Sequence, residues 1–133
     1  MNQILVDTSV WIDFFRDGSS QYGAVVDSLL EQGMVCTTPL IKAEIVPSAR
    51  NKKEFNTLLD YFGALPLLED PPTLWDDIMH AQFKLKRKGL HGIGIPDLMI
   101  AISAKAHDRE IFSRGRHFEL MQKPLGLKLF TKT

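Results

Sequence analysis

Three carboxylates occupy positions where chemistry could begin. In the stretch QILVDTSVWIDFF, the apolar run Ile4, Leu5 and Val6 meets Asp7 and two hydroxyl residues before turning apolar again. Such a run reads as a short buried strand, and functional groups in open parallel sheets gather beyond the carboxyl ends of strands, where helix N-termini also point. Asp7 falls at such an end; its other reading is as a cap of the following helix, alone or together with Thr8 and Ser9. Glu44 follows Leu40 by four residues and adjoins Ile41 and Ile45, so helical spacing predicts an acid on an apolar stripe. A carboxylate buried there needs a cation, a paired base, a raised pKa or a salt bridge to Lys or Arg. Asp97 opens DLMIAISAKA, a helix with apolar residues around its whole circumference. An acid there also suits the helix dipole.

Each acid taken singly has an ordinary structural role open to it, and the constellation is what shifts the balance. Three carboxylates converging on one pocket repel one another and stay ionised only beside a compensating cation. An all-oxygen set favours Mg2+ or Mn2+ over zinc, and such ions activate water and stabilise the charge of phosphoryl transfer. That is the chemistry of a metal-dependent nuclease. His80, His91, His107 and His117 lack the spacing of a zinc site and are expected to be structural or exposed.

Short apolar runs predict strands at 3–6, 34–37, 64–69, 110–113 and 127–130. Helical periodicity and stop signals predict helices between them. The first opens at Ser9 as N-cap and stops at Gly18; another has Thr38 as cap, Pro39 at its first position and Pro47 as its end. Pro71 and Pro72 start a long amphipathic helix reaching Gly89, and residues 114–121 read as a loop or short helix. Strands separated by helices imply a mainly parallel sheet covered on both faces, hence an α/β fold of three layers, α/β/α.

The 133 residues fit one domain, 1–133, and 44% hydrophobic with 24% charged residues is ordinary globular composition. Cys36 is the only cysteine, which excludes an intrachain disulfide and a thiolate metal cluster. No signal-like opening and no membrane-length apolar run is present, so the expected place is the cytosol, with no membrane partner. Net charge is zero, but residues 1–77 hold 5 Lys/Arg against 12 Asp/Glu, and residues 78–133 hold 11 against 4. This asymmetry suits an acidic pocket beside a basic wall as well as it suits a solvated surface.

Four segments, ILVDTSVWIDFFR, TTPLIKAEI, GIGIPDLMIAISAKAHD and IFSRGRHFELM, in this order and spacing resemble the PIN-domain ribonucleases. Among these, the short length and the VDTSVWIDFF opening are most similar to VapC-type toxins of prokaryotic toxin–antitoxin pairs. The resemblance implies that Asp7, Glu44 and Asp97 ligate Mg2+ or Mn2+ and that a metal-activated water cleaves RNA. It implies supporting hydroxyls at Thr8 and Ser113, a homodimer, and a cognate antitoxin whose tail covers the active site.

One position departs from the pattern: the family's fourth acid stands two residues after a Thr or Ser, and SRGRHF puts Gly115 there. Three readings follow. Three acids suffice, which is preferred because all three remain; or His117 or Glu119 replaces the missing group; or catalysis is lost and the domain binds RNA or an antitoxin. Arg114 and Arg116 beside Gly115 are candidates for RNA or partner contact. The basic run KLKRKG at 84–89 reads as a solvated helix end or a phosphate contact, and Trp11, Phe14 and Phe15 as core or dimer packing. A phosphatase using Asp7 is disfavoured, because DTS lacks an acid two residues on.

Overall fold

Three residues, Ile4–Val6, form the strand on which the molecule is organised (β1), all of them buried. The computed structural model describes residues 2–131; residue 1 and residues 132–133 of the predicted domain lie outside them. β1 pairs in parallel with Val35–Cys36 (β2) on one side and Glu110–Phe112 (β3) on the other, and β3 pairs in parallel with Lys128–Leu129 (β4). The order β2-β1-β3-β4 therefore puts the first strand inside the sheet. β1 and β2 are wholly buried and continuously apolar because both faces are covered, whereas Glu110 of β3 and Lys128 of β4 are exposed.

Among the described residues, seven α-helices flank the sheet: α1 Thr8–Arg16, α2 Gln21–Glu31, α3 Pro39–Ile45, α4 Lys52–Gly63, α5 Leu74–Arg87, α6 Ile95–Ala106 and α7 Arg116–Leu125. α1 packs on α2 and α5 on α6, and with the sheet they make the three-layer α/β/α arrangement. Trp11 and Phe62 are fully buried edge-to-face neighbours with centroids 5.0 Å apart, joining α1 to α4. Thr38 caps α3 by accepting from the Ile41 N–H at 3.2 Å, and Pro47 lies in the 3-10 turn Val46–Ser48 that ends it.

Three local expectations change. The strand expected at 64–69 reduces to one parallel bridge, Thr37 with Leu67. Pro66 has no N–H to continue a ladder, and on the other side the chain enters α3 directly after Thr37. The segment read as a loop or short helix at 114–121 is a full helix, α7, because Phe118 and Met121 bury one face. It ends at Gly126, whose φ of 71° needs a residue without a side chain. Finally, the N-cap of α1 is Asp7, the other cap the sequence offered, in place of Ser9.

Candidate active site

Asp7 leaves β1 and begins α1, so its carboxylate is held at the point where sheet becomes helix. It is 5% exposed. Its Oδ1 accepts from Ser9 Oγ at 2.7 Å and from the Val10 N–H at 3.4 Å, and its Oδ2 accepts from Ser113 Oγ at 2.8 Å. Ser113 Oγ in turn accepts from the Gly115 N–H at 2.9 Å, and Ser9 Oγ from the Arg114 N–H at 3.0 Å. Two hydroxyls thus tie the chain after β3 to the chain after β1. Burial pushes the Asp7 pKa above its ordinary value; the hydrogen bonds from Ser9, Ser113 and Val10 work against this, and the negative charge of Asp97 adds to it.

Glu44 comes from α3 and its Oε1 accepts from Thr8 Oγ1 at 2.6 Å. The expected burial of Glu44 is not found: Ile41 and Ile45 are buried, Leu40 only partly, and Glu44 itself is exposed. The i−4 face of this short helix is its rim and not its core side. Asp97 lies in the first turn of α6 without capping it, and its Oδ2 stands 2.6 Å from His117 Nδ1 in the first turn of α7. An ionised carboxylate only accepts, so the imidazole nitrogen is the donor.

Asp7, Thr8, Glu44, Asp97, Gly115, Arg116 and His117 line one cavity of ≈ 430 Å³, together with Ile12 and Ile100. Three acids separated widely in sequence are thereby brought to one opening. Arg116 is exposed at this opening. Arg114 faces elsewhere: its Nη1 donates to Asp13 Oδ1 at 2.8 Å and its guanidinium lies 4.9 Å from the Tyr22 ring centre. His117 was expected to be structural or exposed, or else a substitute for the fourth acid. The structure places it in the cavity and on Asp97. Reading 116–125 as a helix puts His117 in a first turn, near the strand ends; its approach to Asp97 comes from the packing of two helix starts.

Among the described residues, no three acidic or imidazole side chains stand ready to chelate an ion without moving. Each acid holds a protein donor instead. The donor set still fits a hard divalent cation: carboxylate and hydroxyl oxygens on one cavity wall, no thiolate, and a buried Asp7 whose ionised form is opposed by desolvation and by Asp97. A cation there would relieve both penalties.

A family model described as PIN domain matches residues 4–124. This chain belongs to the PIN-domain family. Its relatives include Ribonuclease VapC21 of Mycobacterium tuberculosis, 31% identical over 96 residues, covering 71% of this chain and 70% of the relative. Ribonuclease VapC51 of the same organism is 29% identical over 122 residues, covering 92% of this chain and 87% of the relative. The PIN fold is shared with the crystal structure of VapBC2 from Rickettsia felis bound to a DNA fragment from their promoter, at a TM-score of 0.75, with 98% of each chain covered and 19% identity. No helix of this PIN domain, among the described residues, is long and apolar enough to cross a membrane.

Proposed function

We propose that this PIN domain is a VapC-type endoribonuclease, the toxin of a type II toxin–antitoxin pair, acting on RNA in the cytosol with Mg2+ or Mn2+. The observation that carries the reading is the convergence of Asp7, Glu44 and Asp97, from β1, α3 and α6, on one cavity beside an exposed Arg116. The names of the relatives support the substrate class. Asp7, Glu44 and Asp97 would hold the ion, which supplies an activated water and stabilises the charge that builds up on the phosphate. Thr8 orients Glu44 and Ser113 orients Asp7 through the hydrogen bonds they already make. Arg116 suits a backbone phosphate at the opening, where it positions RNA without reading its sequence. Arg114, held by Asp13 and Tyr22, serves to brace the loop that carries the opening.

The test is cleavage of single-stranded RNA by the wild type, Asp7→Asn and Asp97→Asn, each with Mg2+, with Mn2+ and with chelator. Metal-dependent cleavage by the wild type, reduced at least a hundredfold in both variants, is expected on the order of a lost charged site group. Equal activity of wild type and Asp97→Asn would overturn it. The second reading, an attenuated or inactive domain that binds RNA or an antitoxin, is favoured by Gly115 alone. It takes over if the wild type binds the ion and cleaves nothing.

The partners follow the same reading. A cognate antitoxin would silence the enzyme by covering the acidic opening, as the VapBC assembly of R. felis makes reasonable for a chain of this fold. A homodimer has a surface available: Trp75, Met79 and Phe83 stand on successive turns of α5, exposed by 61%, 61% and 67%. Asp76 borders this stripe near one end and Arg87, over the Phe83 ring, at the other. A two-fold axis at Met79 would set Trp75 against Phe83 of a second copy with opposite charges approaching. Met79→Asp should then give a monomer by light scattering, and an unchanged mass would remove α5 from the interface.

A further inference from the structure

The Asp97–His117 pair is an arrangement that the three-acid reading does not use. His117 stands two residues beyond Gly115, the position without a carboxylate, and its ring reaches the same cavity. Nδ1 lies 2.6 Å from Asp97 Oδ2, a hydrogen bond to a carboxylate acceptor. No other hydrogen bond to the Asp97 side chain is found among the described residues. One oxygen of Asp97 is therefore fixed by the imidazole and the other is left for a ligand. Asp7 and Glu44 are each oriented by a hydroxyl, from Ser113 and Thr8. Without His117, Asp97 would be the one acid of the three with no side chain to hold it.

We infer that His117 is the positioning residue of Asp97: its Nδ1–H fixes the carboxylate rotamer that presents the free oxygen to a divalent ion. This rests on the reading of the cavity as a metal centre. Groups that orient a ligating carboxylate characteristically change metal affinity about 10–100-fold when removed. A positioning role also differs from direct ligation in what it does to selectivity. An imidazole bound to the ion would favour Mn2+ over Mg2+, whereas an imidazole that only aims a carboxylate strengthens both alike.

The experiment is calorimetric titration of the full chain with Mn2+ and with Mg2+, for the wild type, His117→Ala and His117→Asn, with circular dichroism to confirm the fold. Asn keeps a short side-chain N–H donor and cannot replace a ligating ring nitrogen. The expected result is a loss of about tenfold or more in affinity for both ions in His117→Ala, an unchanged ratio between them, and recovery of most of the loss in His117→Asn. Unchanged affinity in His117→Ala overturns the inference while leaving the metal centre standing. A loss confined to Mn2+ and not recovered by Asn also overturns it, since the ring would then be a ligand. A wild type that binds neither ion brings down the metal reading itself, and the inference with it.

Discussion

Placing an acid at position 115 tests whether that position faces the divalent ion proposed for the cavity. Gly115 has φ −78° and ψ 151°, open to any residue, and a Cβ added there meets only Ser113 Oγ, at 3.4 Å. Gly115 is also the N-cap of α7 and makes no side-chain cap. Asp in that place would gain a few tenths of a kcal/mol over Gly as a cap, and about 0.3–1 kcal/mol from the helix dipole. Repulsion from Asp7 and Asp97 across the open cavity opposes this by a similar amount, about 1–2 kcal/mol. For 133 residues the unfolding entropy makes about 1 kcal/mol worth roughly 3–4 °C. Without metal, the midpoint of Gly115→Asp should thus stay within about 4 °C of the wild type. With saturating Mn2+, a tenfold gain in affinity adds about 1.4 kcal/mol, close to 5 °C beyond the shift that the wild type shows. Scanning calorimetry with and without Mn2+ reads both numbers. A metal-free loss above about 3 kcal/mol would refute the steric reasoning, and an Mn2+ shift equal to the wild type's would show that position 115 does not face the ion.

Asp7→Asn should stabilise the metal-free protein at neutral pH. Because the folded-state pKa of Asp7 is raised, the unfolded chain releases this proton first as pH rises, so the wild type loses stability from about the ordinary value of 3.8 up through the raised folded value. Urea unfolding at several pH values should show the advantage of Asn shrinking as pH falls towards 3.8; an advantage independent of pH would contradict the cause. Trp11→Ala removes a ring packed among Phe14, Phe15, Tyr61 and Phe62 and should cost about 3–5 kcal/mol in denaturant unfolding. The Cys36 thiol, pushed up to about 11 by burial against the opposing charge of Arg109, should stay unreactive to an aromatic disulfide reagent at pH 8 until the protein unfolds.

Much of this architecture was legible because local signals and burial agree. The run Ile4–Val6 before Asp7, the Thr38–Pro39 helix start and the apolar α6 each combine a boundary residue with a packing pattern. Where they disagree, the reading failed. Residues 64–69 carry the apolar content of a strand, but Pro66 interrupts the donors a ladder needs, and only one bridge survives. α7 begins beside a glycine and contains Pro124, so composition left loop and short helix both open, and tertiary burial of Phe118 and Met121 extends the helix to Leu125. The acids of the candidate site were visible as residue types, while their environments were not. Glu44 was placed inside by spacing alone, yet a helix of 7 residues has a rim as wide as its buried face. The approach of His117 to Asp97 depends on how two helix starts sit side by side, which no local pattern encodes.

The carboxylates differ in how firmly they are rooted. The Asp7 amide donates to the Phe112 carbonyl at 3.0 Å, so this acid closes the last rung of the innermost strand pair. Glu44 and Asp97 are each steadied by one side-chain contact between helices. Solvent exchange at the Asp7 amide should accordingly follow global unfolding, whereas a protein laid over the opening could swing the other two aside and release them again with the sheet intact. On the proposed reading, a chain built this way would be disarmed and rearmed without ever being refolded.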